Sequence, residues 1–218
     1  MPIKGAIFDI DGVIVNTVPL HFKAWKRMFE EFGHSFSMED YIKKVDGRPR
    51  LEGAAAILTE LGPEEIEKAG EIKQSYYLEL LDKDPIEIFE STIKIIKDLK
   101  SRGIKIAAAS SSKNATRILK KIDLYDIFDA NVSGADFKKG KPDPEIFLTA
   151  ASRLKLDPKD CIVFEDAKSG VEAALNGKFY CIAINRHDNL SALEGANKIV
   201  NDLSEISTEE ILNIEKRN

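Results

Sequence analysis

The chain, 218 residues long, has little of what staples small secreted proteins together. It carries 2 cysteines, Cys161 and Cys181, both inside apolar runs, with no further cysteine or histidine at ligand spacing. That argues against a disulfide framework or a cysteine–histidine zinc site and leaves two reduced core residues. Glycine and proline are few, 13 and 8, and no internal repeat or low-complexity stretch stands out. A basic surplus is missing too: Lys+Arg number 32 against 37 Asp+Glu, a formal charge of −5. No nucleic-acid partner is expected, because phosphates along a strand would go unneutralised; a local pocket for one small phosphate stays open. The start, Met1-Pro2-Ile3-Lys4, runs straight into a strand without a cleavable leader, and no apolar run is long enough to span a bilayer. We therefore expect a cytoplasmic protein without a membrane partner.

What is present is an ordinary globular composition, 43% hydrophobic and 32% charged, enough for a sizeable core. Continuous apolar runs recur at Gly5–Phe8, Ile104–Ala109, Cys161–Phe164 and Phe179–Ile184, with weaker ones at Ala130–Ser133 and Lys198–Val200. Such runs suit strands buried on both faces. Helical patterns lie between them, at Thr92–Ser101, Asn114–Ile122, Pro144–Leu154 and Ser169–Asn176, and a last one follows Thr208. This alternation predicts an α/β fold with a doubly wound, Rossmann-like parallel sheet, formed by residues 1–14 and 88–218. Residues 15–87 break the rhythm. Apolar residues at helical spacing (Phe22, Trp25, Phe29, Phe32; Ala54, Ile57, Leu58, Leu61; Ile72, Tyr76, Leu80, Leu81) predict an inserted all-helical domain.

Four motifs close the apolar strands. Asp9 and Asp11, in Phe8-Asp9-Ile10-Asp11-Gly12, stand two positions apart, so their carboxylates leave the strand on one side. One carboxylate can attack phosphorus, and the other can protonate the leaving oxygen and then deprotonate the incoming water or hydroxyl. Alternatively, the pair merely caps a turn. Ser110, in Ala109-Ser110-Ser111-Ser112-Lys113-Asn114, offers a hydroxyl near a helix start, as a phosphate cradle or as an ordinary N-cap. In Lys141-Pro142-Asp143-Pro144 the last two residues look like an N-cap and first helical residue, while Lys141 can offset charge on a nucleophile or simply be solvated. Glu165 and Asp166 suit a hard cation such as magnesium, or compensate a helix N-terminus. In an open α/β sheet ligands bind beyond the carboxyl ends of the strands, so all four motifs would converge on one edge.

These residues resemble the haloacid dehalogenase superfamily, whose four motifs occur here in the same order across essentially the whole chain. The resemblance implies Asp9 as nucleophile, Asp11 as acid/base, Ser110 and Lys141 as phosphate-binding and charge-balancing residues, and magnesium held by Asp9, Asp11, Glu165 and Asp166. An aspartate at position 11 implies phosphoryl transfer, not dehalogenation. The run from Asp11 through Asn16-Thr17 to His21-Phe22-Lys23-Ala24-Trp25 is similar to the cap entry of the β-phosphoglucomutase group, as are Gly47 to Arg50 and Lys73. By that resemblance Arg50 would hold a distal phosphate and Thr17 would lie in a hinge. His21 and Lys73 would couple substrate binding to cap closure, while Ser112 and Asn114 would help hold a second phosphate. Trp25, Gly47 and Arg48 would line the substrate, although Trp25 also reads as cap core, and Arg50 and Lys73 as surface charges. Three positions depart from the group: Asp46 where it has lysine, Gly53 where it has serine, and Asn16 where it has aspartate. The expectation is a monomeric enzyme acting on a small hexose phosphate, with a bisphosphate primer if it is a mutase, or as a sugar phosphatase. A non-catalytic phosphoacceptor module is the remote alternative.

Overall fold

The computed structural model describes residues 3–45, 48–186 and 190–214. It divides into two compact units, residues 1–16 with 87–218, and residues 17–86. The first unit is built on β1 (Gly5–Asp9), then β2 (Val15–Asn16) and β3 (Glu87–Ile88), which pair antiparallel with each other. That pairing ties residues 15, 16 and 87 to the first unit, which moves the boundaries by two residues and one from those read in the sequence.

The sheet continues with β4 (Lys105–Ala109), β5 (Ala130–Val132), β6 (Cys161–Glu165), β7 (Tyr180–Ile184) and β8 (Lys198–Val200). It is six-stranded and parallel in every pairing, in the order β5-β4-β1-β6-β7-β8. Both faces are covered, which is why these strands read as unbroken apolar runs. Ile7, Ala107, Val163 and Cys181 join one core, packed with residues of α7 (Glu145–Leu154) and α8 (Lys168–Asn176). Ala6, Phe8, Ile106, Phe164 and Ile182 alternate with them and are equally buried. Phe8 stacks on Phe164 from the neighbouring strand, centroids 4.4 Å apart and nearly coplanar. Both cysteines are free and buried.

The first strand therefore lies between β4 and β6, where the strand order reverses. Asp9 stands level with Ala109, and Phe8 with Phe164, so residues 9, 110 and 165 emerge side by side. This is the crevice in which open α/β sheets bind ligands.

The second unit contains α1 (Val18–Glu31), α2 (Met38–Asp40), a π-helical turn (Tyr41–Val45), α3 (Arg50–Ala55) and α4 (Pro63–Lys83). Its core gathers Trp25, Met28, Phe29, Phe36, Ala54, Leu58 and Ile66. Two sequence readings need correction here. The 54–61 pattern does not form one helix: α3 ends at Ala55, and Leu58 is buried from the turn that follows. On α4 the wholly buried face runs through Ile66, Ala69, Gly70, Lys73, Tyr77 and Leu81, one position round from Ile72, Tyr76 and Leu80. A lysine in the buried stripe disguised it. No helix among the described residues is long and apolar enough to cross a membrane.

Candidate active site

The turn after β1 is closed by its own backbone. Gly12 N donates to Val15 O at 2.8 Å, and the N–H groups of Ile14 and Val15 both reach Ile10 O at 3.0 Å. Ile10, Val13, Ile14 and Val15 are all fully buried, so the apolar residues anchor the turn and aim the acidic ones elsewhere. Gly12 has φ +80°, and a Cβ there would fall 1.9 Å from Asp166 Oδ2. Only glycine meets both demands, the left-handed backbone and the close approach of this turn to the strand-end acid.

Lys141 sits at the centre of the charge cluster. Its Nζ lies 2.5 Å from Asp9 Oδ1 and 2.7 Å from Glu165 Oε2. The other oxygen of Glu165 accepts from the N–H groups of Asp166 and Ala167, at 3.2 and 3.1 Å. This fold-back needs Gly170, where a Cβ would meet Glu165 Cδ at 2.0 Å. Burial raises the Asp9 carboxyl well above its ordinary range; Lys141 opposes that rise, and Glu165, Asp11 and Asp166 add to it. Glu165 is likewise raised by burial, against the pull of Lys141. For Lys141 burial alone would lower the pKa, but the charges of Asp9 and Glu165 outweigh it and the ammonium is held. One lysine thus faces more carboxylates than it can balance. Oxygens of Asp9, Glu165 and Asp166 lie within 4.8 Å of one another, a hard-oxygen set that fits a magnesium ion. Asp11, read in the sequence as a further ligand, is not in that trio. Its carboxylate instead accepts from Ser110 Oγ at 3.0 Å.

Ser110, almost wholly buried, thereby links β4 to the acid of the turn. Its Oγ also accepts from Ser112 N at 3.0 Å, and Ser112 Oγ accepts from Asn114 N at 3.1 Å. The serines thus take up backbone donors that a phosphate cradle would use, and α6 (Ala115–Lys121) begins beyond them with Asn114 at its cap position. The segment carrying Lys141 is fixed by a residue whose signal was hidden in a helix start. The two carboxylate oxygens of Glu145 accept from Lys138 N and Lys139 N, at 3.1 and 2.9 Å. Asp143 Oδ1 in turn accepts from Glu145 N at 3.0 Å, and Asn176 Nδ2 donates to Pro142 O at 3.0 Å.

In the helical unit Thr17 is buried at the start of α1, and its carbonyl accepts from Leu20 and His21. Lys73 Nζ lies 2.9 Å from His21 Nδ1 and near the faces of Trp25 and Tyr77, at 4.8 and 5.0 Å. His21 stacks on Tyr77, centroids 4.2 Å apart. Burial, and then the charge of Lys73, push the His21 imidazole well below its usual range. Trp25, expected to line a substrate, is instead cap core, stacked on Phe29 and closed over by Gly53, where a Cβ would sit 3.1 Å from its ring. Arg48 and Arg50 are exposed, while Asp46 and Gly47 lie outside the described residues. Gly70 leaves room on α4 beside Leu51 and Arg50.

Burial, and secondarily Arg50, lower Lys73 to about 7. The unfolded chain then binds more protons than the folded one between that value and the ordinary lysine range, so stability rises with pH across this window and is lowest below it. Replacing Lys73 with Met is expected to stabilise the protein at pH 6, since it removes the cost of keeping a buried ammonium charged below its lowered pKa. A urea midpoint at pH 6 that falls in the variant would contradict this.

A model of haloacid dehalogenase-like hydrolases matches residues 3–177. The chain belongs to the haloacid dehalogenase-like hydrolase family. It is an enzyme of that type, in a family that generally uses magnesium. Among its relatives in this family, the beta-phosphoglucomutase of Bacillus subtilis is 34% identical over 94% of this chain and 92% of that protein. A phosphorylated carbohydrates phosphatase of Thermotoga maritima is 35% identical over 98% of both. The crystal structure of beta-phosphoglucomutase from Clostridium difficile superposes with a TM-score of 0.82, at 31% identity, over 96% of this chain and 95% of that one. The six-stranded parallel sheet is thus the haloacid dehalogenase core, and its β-phosphoglucomutase-like character holds at the level of sequence and fold.

Proposed function

We propose that this enzyme transfers a phosphoryl group from a small sugar phosphate through an aspartyl phosphate on Asp9. The observation that carries the reading is a division of labour between two neighbouring carboxylates: Asp9 pairs with Lys141, and Asp11 with Ser110. A carboxylate paired to a buried ammonium is oriented as a nucleophile, and one bonded to a hydroxyl outside that pair is left for proton transfer. Asp9 Oδ attacks phosphorus, the phosphorus–oxygen bond to the sugar breaks, and the leaving oxygen takes a proton from Asp11. In the second half Asp11 removes a proton from the acceptor hydroxyl as that oxygen attacks, and the Asp9 carboxylate is released.

Magnesium would be held chiefly by Asp9 and Asp166, since both oxygens of Glu165 already accept hydrogen bonds. When bound, it would neutralise charge on the phosphoryl oxygens. Lys141 orients Asp9 and offsets its charge, and Glu165 holds Lys141. Ser110 is proposed for the transferring phosphate, Arg50, Ser112 and Asn114 for a second phosphate, and His21 with Lys73 for coupling substrate binding to closure.

The acceptor distinguishes two readings. If it is another sugar hydroxyl, the enzyme interconverts β-glucose 1-phosphate and glucose 6-phosphate. If it is water, the enzyme is a sugar phosphatase, a reading favoured by the full-length similarity to the Thermotoga phosphatase. We favour the mutase because the retained cap residues Thr17, His21, Arg50 and Lys73 match that group. Purified protein with magnesium is expected to convert β-glucose 1-phosphate to glucose 6-phosphate only when a glucose bisphosphate is added, with little inorganic phosphate released. Stoichiometric phosphate release without primer would make it the phosphatase.

A further inference from the structure

Three successive carbonyls of the turn after β1 are each held by a residue from elsewhere in the sheet unit. Thr92 Oγ1 donates to Val13 O at 2.7 Å, and Phe89 N donates to Ile14 O at 3.0 Å. The third, Gly12 O, accepts from Arg186 Nε at 3.0 Å. Arg186 follows β7, well apart in sequence from every motif above, and nothing in the sequence reading singled it out. Its guanidinium is itself held on two sides. It lies over the Phe89 ring, 3.7 Å from the centroid, and its Nη1 donates to Asp202 Oδ2 at 3.1 Å. That same carboxylate oxygen accepts from Ser91 Oγ at 2.8 Å, at the start of α5 (Glu90–Ser101). Arg186 Nη2 is buried with no hydrogen-bond partner among the described residues, so the side chain is held there although not all its donors are satisfied.

We infer that Arg186 is a positioning residue for the acid/base step: by holding the Gly12 carbonyl it fixes where the Asp11 carboxylate stands. The inference rests on the role proposed above for Asp11. Gly12 has no side chain to anchor it, so apart from the bond from its N–H to Val15 O its peptide is held through its carbonyl. Asp11 directly precedes it. A charge-assisted bond to the Gly12 oxygen is stronger than a neutral one, and Phe89 and Asp202 order the donor in advance. The adjoining Val13 and Ile14 are already fastened through their own carbonyls, so without Arg186 the slack would collect at residues 11 and 12.

A general acid matters most when the leaving group is poor, and that gives a readout a merely structural role would not move. With magnesium present, kcat/KM covers the steps up to leaving-group departure and can be measured for 4-nitrophenyl, phenyl and benzyl phosphate. Arg186→Gln is expected to lower the benzyl phosphate value by about 10²-fold, as for loss of a positioned proton donor. The 4-nitrophenyl phosphate value, whose leaving group departs without a proton, should fall less than about tenfold. Arg186→Lys, which keeps the charge and one donor, should recover part of the difference. An equal fall for all three esters, or no fall, would overturn the inference. Should the native enzyme turn over none of them but convert β-glucose 1-phosphate, it keeps the proposed mutase function; if it converts neither, the proposed function fails instead. The positioning role is then read from amide hydrogen exchange of residues 10–15, which should quicken at least about tenfold in Arg186→Gln and overturns the inference if unchanged.

Discussion

Asp9→Asn should leave a folded protein with turnover of aryl or sugar phosphates reduced on the order of 10⁴-fold or more, the size of loss seen when a covalent nucleophile is removed. An amide cannot form the acyl phosphate, and the neighbouring acids cannot substitute for it. Asp11 is engaged by Ser110, and Glu165 is held by Lys141 and two backbone N–H groups. Stability should move the other way in the absence of metal. Burial raises the folded pKa of Asp9 above its unfolded value, so the folded state binds more protons through the window above the ordinary aspartate range. Stability is therefore lost as pH rises through that window, and the cost of burying the carboxylate grows with it. Asn removes that cost. Magnesium should then raise the melting temperature of the native enzyme much more than that of the variant, because an ion that binds only the folded state stabilises it by mass action. Thermal melts in chelator and in magnesium, beside an aryl phosphate assay, check all of this. Retained turnover in Asp9→Asn would remove the basis for the proposed chemistry.

The second large effect is expected at Lys141. Lys141→Met removes the ammonium shared by Asp9 and Glu165, both nearly inaccessible to solvent. Breaking a buried ion pair from one side typically costs 3–5 kcal/mol, about as much as uncompensated burial of the remaining charge. In the native protein the folded pKa of Lys141 lies above its unfolded value. Its contribution is thus fully present at neutral pH and is lost only as the solution becomes strongly alkaline. The variant should lose about that much stability at pH 7 in a urea titration, and turnover should fall by about 10²–10³-fold, the range for losing one preorganised electrostatic contact. Lys141→Met with unchanged stability would mean that Asp9 and Glu165 are not both ionised in the folded enzyme. Asp9→Asn gaining stability while Lys141→Met loses it is the signature of a site with surplus negative charge.

Much of the architecture was legible because parallel strands buried on both faces must be apolar at every position. All six sheet strands lie within one or two residues of the runs read from the sequence, and so do α5, α6, α7 and α8; the last helical pattern starts at Thr208 as read but its helix ends at Leu212. Local readings failed where a tertiary demand overrode periodicity. Lys73 interrupts the apolar stripe of α4, so the buried face looked displaced by one residue. Trp25 reads from its spacing as core, while the family resemblance offers a ligand-lining role, and packing against Phe29 and Gly53 places it in the core.

The sequence by itself determined which side chains the strand ends carry: paired aspartates, a serine, a lysine and two further acids, each at the end of an apolar run. Chain order also made it clear that a helical insert follows the first strand. What only the tertiary structure decided is who partners whom. Lys141 bonds to Asp9 and Glu165 rather than to solvent, Ser110 takes Asp11, and Asp11 stands apart from the carboxylate trio. Gly12 and Arg186 act through approaches between segments far apart in the chain, while Gly170 and Glu145 act within loops of five to seven residues that no periodicity marks. Spacing along a sequence reports which face of an element a residue occupies. It carries no information about the distance between side chains that the strand order alone brings together.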